Sequence, residues 1–278
     1  EGSIVSDEER KKVYRSLFLT NFLIALGFGV VDPFFPVYAI SAGATGLHIA
    51  LIYSGYSVAK TVVLPLTGWW SDRRGRRGLI LAGLCIFLAV SLAYLSMPGP
   101  LALIALRILQ GVGAALVRPI SLAFVGDIAP VRKEAETMGT FDISFYGAAA
   151  IGPVIGGLIK DEAGFFGLFA SLSGLCFLAL LMALFFVTAS PNHGSKNMES
   201  TGMNFSGIRN SKMLLGLSGF IFTRSFGITL FVVFLPIFMH QNLKLTGFEM
   251  GIVMGAATVV IAVLLRPMGY LSDKLRRS

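Results

Sequence analysis

The sequence predicts an all-α integral membrane protein, on three observations. Apolar residues fill 55% of the 278 positions and charged ones only 14%, with a mean hydropathy of +0.76. Soluble domains run near ~45–50% and ~25%. The apolar residues gather into runs close to the length of a bilayer-crossing helix, about 20 residues. The basic residues collect on alternate connectors instead of spreading evenly. This balance excludes a soluble metabolic enzyme or a disordered tail. The net charge of +8 then reads as loop charge on one membrane face, with no nucleic-acid partner.

Eight runs qualify, at 16–39, 48–71, 78–97, 100–127, 136–159, 165–188, 212–239 and 246–271. Residues 1–15 before them are polar. The first run is too long for a signal-peptide core and no small-residue cleavage site follows it, so the N-terminus is expected to be cytoplasmic and uncleaved. A chain that starts at Glu1 is expected to be processed or partial. Connectors are short except at 190–211, where SPNHGSKNMESTGMNFSGIRNS is polar and rich in Gly, Ser and Asn, the composition of a linker. Cys85 and Cys176 sit in apolar runs without CxxC or Cys/His spacing and read as small buried hydrophobes. His48, His193 and His240 are far apart, so no metal site is expected.

Charge sets the orientation. With the N-terminus inside, the inner segments carry sixteen basic residues, the densest group being Arg73, Arg74, Arg76 and Arg77. The outer loops carry two, Lys160 and Lys244. That asymmetry places both ends in the cytoplasm. The expected location is the plasma membrane, which is the inner membrane in a Gram-negative cell.

An internal repeat organises the spans. Val31-Asp32-Pro33-Phe34-Phe35-Pro36-Val37-Tyr38 in the first span is echoed by Phe234-Leu235-Pro236-Ile237-Phe238 in the seventh. Gly68-Trp69-Trp70-Ser71-Asp72-Arg73 after the second is echoed by Gly269-Tyr270-Leu271-Ser272-Asp273-Lys274 after the eighth. The offsets are 200 residues between Pro36 and Pro236 and 201 between Gly68 and Gly269, equal to six spans. Parallel six-helix repeats are implied, with residues 1–189 the first bundle, 190–211 a cytoplasmic linker, and 212–278 the first two helices of the second. A repeat of this kind predicts four further spans beyond Ser278; a true eight-helix protein is the alternative.

Gly68, Asp72, Arg73, Gly75, Arg76 and Arg77 match the Gly-x-x-x-Asp-Arg/Lys-x-Gly-Arg-Arg/Lys loop, and on these residues the chain resembles the major facilitator superfamily. Gly68 is expected to let two helices approach, Gly75 to permit a tight turn, Asp72 to favour a helix N-terminus, and the arginines to anchor the inner face. The resemblance implies that this loop gates the transporter by latching the two bundles. In the fourth span Arg107-Ile108-Leu109-Gln110-Gly111 is similar to the family's Arg-x-x-Gln-Gly motif, which is associated with proton coupling. In the fifth, Gly139, Gly152, Pro153, Gly156 and Gly157 resemble the antiporter motif, with Ala148 standing where a glycine belongs. Ala148, Gly152 and Gly156 also lie on one helix face, suited to close packing. The implied fold is the major facilitator fold, and the drug:proton antiporters are the group it resembles.

Ionisable groups in hydrocarbon are costly and mark function. Counted at ~1.5 Å per residue, Asp32 and Arg107 enter from the same side to the same depth. A cation within ~4–6 Å holds a carboxyl ionised, and separation or drying lets it take a proton. Asp32 is therefore the expected proton carrier and Arg107 its partner. Lys60, Gln110, Arg224, Phe35 and Phe145 are candidates for substrate contact or coupling. Arg118 and Asp142 are expected to form a second, structural pair, and Glu249 to snorkel at a helix end. No nucleophile–base pair supports an enzyme. The expected function is proton-coupled efflux of small hydrophobic or cationic compounds by alternating access, with a symporter or uniporter of sugars, organic acids or other metabolites as the alternative. The partners are lipid, substrate and protons. No cofactor is expected beyond the proton gradient, and the protein is expected to be monomeric.

Overall fold

A computed structural model describes residues 7–130, 134–187 and 212–260, in places by backbone alone. Its elements are α1 Asp7–Val31, α2 Phe35–Ser41, α3 Gly46–Arg74, α4 Arg76–Tyr94, α5 Pro100–Ile128, α6 Glu134–Phe186, α7 Lys212–Gln241 and α8 Gly247–Val260. No strand occurs among the described residues. Among the described residues, six helices are long and apolar enough to cross a membrane. One of them, α6, holds two expected spans, because Gly164 (φ 65, ψ −161) bends the chain between them. The end of the eighth span, and with it the repeated Gly269–Lys274 segment, lies outside the described residues, as does the linker at 190–211.

The expected first span is two helices, not one. Pro33 has no N–H to give the carbonyl of Gly29, and Pro36 has none for that of Asp32. The helix yields there: Asp32 N–H still reaches the Phe28 carbonyl (2.7 Å), Phe34 turns back to Val31 (3.0 Å), and the Asp32 carbonyl takes a long bond from Phe35 (3.4 Å).

Helix starts follow their capping chemistry. At α3 the Thr45 N–H donates to Nδ1 of His48 (3.1 Å). At α8 the Thr246 N–H donates to Oε2 of Glu249 (2.8 Å) and the Glu249 N–H to Oγ1 of Thr246 (3.3 Å). Glu249 thus closes a capping box, a tighter role than the snorkelling expected of it. Between α3 and α4, Gly75 sits at φ 83, ψ 156, a region essentially reserved for glycine. Gly75→Ala should cost about 1–3 kcal/mol, read as a lowered thermal-unfolding midpoint in detergent.

Small residues set the packing. α1 lies on α6, α3 on α5, and α4 on both α5 and α6. A Cβ on Gly152 would meet Gly29 C at 2.7 Å, and one on Gly156 would run into the Val30 carbonyl. Ala148 is fully buried on the same face, its carbonyl 3.2 Å from a Cβ built on Gly29, so the expected small-residue face is real. Gly157 points elsewhere: a Cβ there would strike the Gly247 carbonyl on α8. Gly251 and Gly255 continue that seam against Pro153 and Ala150. The antiporter-like motif therefore packs on two helices at once. Gly139 and Gly68 have no described atom within 4 Å of a built Cβ. The close approach expected at Gly68 is absent among the described residues. Cys176 is buried as expected, but Cys85 is exposed, because it lies off the face of α4 that buries Leu84 and Phe87.

Candidate functional site

The break between α1 and α2 opens onto a cavity of about 670 Å³. Its wall is mostly apolar, with Ile24, Phe28, Phe87, Ile228, Phe231 and Met254, and draws on α1, α3, α4, α5, α6, α7 and α8. Asn21, Asp32, Tyr56, Lys60, Arg118 and Thr258 supply its polar groups.

Asp32 and Arg107 meet as their equal depth predicts, Nη2 to Oδ1 at 3.1 Å. The pair is asymmetric. The Arg107 side chain is 6% accessible and that of Asp32 42%, so the cation is sealed in protein while the carboxylate faces the cavity. The guanidinium lies over the Phe35 ring (3.7 Å to the centroid), with Tyr53 on another side (5.6 Å), a cation–π seat that compensates part of its lost hydration. Phe35 is thus a buried support and not a cavity wall. Gln110 lies behind the same seat, where its Oε1 accepts from the Tyr94 hydroxyl (3.0 Å). Tyr94 in turn packs on Phe35 (5.5 Å) and Phe169 (5.3 Å).

Arg118 and Asp142 also pair (3.1 Å), but both side chains are well exposed, at 41% and 37%. Arg118 lines the cavity and stacks on Phe145 (3.9 Å), itself a wall residue. The expected pair is formed, and its arginine also reaches the cavity. Lys60 lines the cavity as well. Arg224 is exposed on α7 and does not line it.

The loop arginines tie to their own helix and to two neighbouring ones. Arg73 lies over Trp69 one turn earlier (4.0 Å). Arg76 pairs with Asp127 at the end of α5 (2.8 Å), and Nη2 of Arg77 donates to the Leu184 carbonyl in the last turn of α6 (2.9 Å), a favourable place for a cation. Asp72 lies in the last turn of α3, and its side chain is outside the described residues.

Two polar contacts escaped sequence reasoning. Nδ2 of Asn21 donates to the Ser144 hydroxyl (2.6 Å), joining α1 to α6 below the break. At the end of the bundle opposite Gly75, Asp161 accepts the backbone N–H of Gly247 on Oδ1 (2.7 Å) and of Phe248 on Oδ2 (2.8 Å). A carboxylate is well placed at a helix N-terminus, and here it clasps α8 to α6. The only sequence signal was an acid beside the sole basic residue of its loop, Lys160.

Residues 17–278 match the family model of the Major Facilitator Superfamily. The chain is 28% identical over 270 residues to an uncharacterized MFS-type transporter of Methanocaldococcus jannaschii, covering 93% of this chain and 68% of the relative. It is 25% identical over 259 residues to multidrug resistance protein 1 of Bacillus subtilis, covering 92% and 66%. The chain thus spans about two thirds of the length of these relatives. Among solved structures, a D-xylose–proton symporter aligns with a TM-score of 0.67 at 15% identity over 95% of this chain and 69% of its own. A multi-pass apolar helical chain, the loop and helix motifs, and a family match over nearly every residue have one explanation: this chain belongs to the Major Facilitator Superfamily, a family of membrane transporters and not of enzymes.

Proposed function

We propose that this transporter exports small, largely apolar compounds in exchange for protons, with Asp32 as the proton carrier. The observation that carries the reading is the one-sided Asp32–Arg107 pair: a carboxylate open to the cavity, held at 3.1 Å by a cation that is not. Such an acid can exchange its proton with water or compete with substrate in the cavity, and the buried guanidinium is the counter-charge that its carboxylate meets here. A transport cycle that parts the two groups couples the charge carried by Asp32 to conformation. The largely apolar wall suits hydrophobic cargo, and the relatives named for multidrug resistance support efflux as the direction.

The remaining frame follows from the same reading. Both termini are cytoplasmic in the plasma membrane, with residues 1–189 one rocking bundle, 190–211 the linker and 212–278 the start of the second. The energy source is the proton gradient, without a cofactor, and the unit is a monomer. The test is uptake of a fluorescent hydrophobic dye into everted vesicles that express the full reading frame. Uptake should collapse with a proton uncoupler. Asp32→Asn should reduce it to the level of empty vesicles while still allowing dye to equilibrate. Full uncoupler-sensitive uptake by Asp32→Asn would remove Asp32 from the mechanism, and uptake that ignores the uncoupler would remove proton coupling altogether.

A further inference from the structure

The cavity's charges do not cancel. Asp32 is met by Arg107 from behind the wall, and Arg118 by Asp142, each at 3.1 Å. Lys60 also reaches the cavity wall. Among the described residues, no carboxylate lies within ion-pair distance of it and its ammonium makes no hydrogen bond. With both pairs intact, a mostly apolar chamber is left carrying one uncompensated positive charge. A charge in such surroundings is costly until an opposite charge arrives.

We propose that Lys60 is the specificity residue of this cavity and that it selects amphipathic organic monoanions, molecules with an apolar body and one carboxylate. The inference rests on the reading that this cavity is the transport site. The apolar body fits against Phe28, Phe87 and Phe231, and the carboxylate meets the ammonium of Lys60, with Arg118 on the same wall. A cationic substrate meets the reverse arrangement. It faces Lys60 and Arg118, and the one acid on the wall, Asp32, is already engaged by Arg107. Neutral compounds bind by burial alone. The order of preference is therefore anion, then neutral, then cation.

Three fluorescent probes with one apolar body isolate the charge: N-dansyl-6-aminohexanoate, its methyl ester, and dansylcadaverine. Each is titrated against the full chain in nanodiscs. A charge-assisted contact is worth about 1.5–3 kcal/mol, which is roughly tenfold or more in Kd. Wild-type protein should bind the acid about tenfold more tightly than the ester, and the amine most weakly. Lys60→Gln should erase the acid-to-ester ratio, and Lys60→Arg should keep it. Melting curves of both variants confirm that they fold. An acid-to-ester ratio near one in wild type, or one that survives in Lys60→Gln, overturns the assignment while leaving the export reading intact. Failure of all three probes to bind overturns both, because the cavity then does not receive amphipathic molecules.

Discussion

Gly156→Val is expected to leave little folded protein. A Cβ at this position would run into the Val30 carbonyl and lie 2.9 Å from its carbon and 3.0 Å from Cε2 of Phe34. Two of those three atoms are backbone, held by the helix ladder of α1, so no side chain can swing aside. The helices must part, and Gly152 and Ala148 on the same face lose their contacts with them. Overpacking usually costs about 1–3 kcal/mol, and a backbone clash falls above that range. Intrinsic propensity pulls the other way, since valine is a slightly better helix residue than glycine, so a loss isolates the packing. Gly139→Val is the matched control, because a Cβ there meets no described atom within 4 Å. Size-exclusion profiles and thermal melts of the two variants should differ sharply. A well-folded Gly156→Val would mean that α1 and α6 do not touch along this seam.

The second large effect concerns the charge pair, and its size depends on which partner is removed. Asp32→Ala strands a guanidinium that is 6% accessible and whose Nε already lacks a hydrogen bond. Breaking a buried pair this way costs about 3–5 kcal/mol. Arg107→Met leaves a carboxylate that is 42% accessible and can be hydrated through the cavity, so its cost stays near that of one charge-assisted bond, about 1.5–3 kcal/mol. Asp32→Ala should therefore melt lower than Arg107→Met. The double variant should melt higher than Asp32→Ala alone, because it no longer buries an orphan charge. A double variant less stable than either single one would show that the guanidinium is hydrated in place.

Much of this was legible in the sequence because helices crossing a membrane are nearly a ruler. Counting residues from the same surface puts Asp32 and Arg107 at one level, and they meet. A four-residue step puts Ala148, Gly152 and Gly156 on one face, and that face is buried against α1. Gly75 takes the positive φ its turn requires. Rotation about a helix axis was harder to read. Depth alone does not say whether Arg118 looks into the cavity, whether Phe35 lines it or supports it, or that Gly68 and Cys85 face outward. The break at Asp32 was signalled by Pro33 and Pro36, but hydropathy bridges two prolines without a dip. The Asp161 contact with Gly247 joins residues 86 positions apart, and no local pattern announces such a meeting.

That contact has a consequence for timing. One carboxylate holds two amides of a neighbouring helix, so α6 and α8 cannot part here by degrees: both bonds are lost together, and three polar groups must find water within one movement. Asp161→Ala, which removes both bonds at once, should therefore loosen this end of the bundle more than the loss of either amide contact alone.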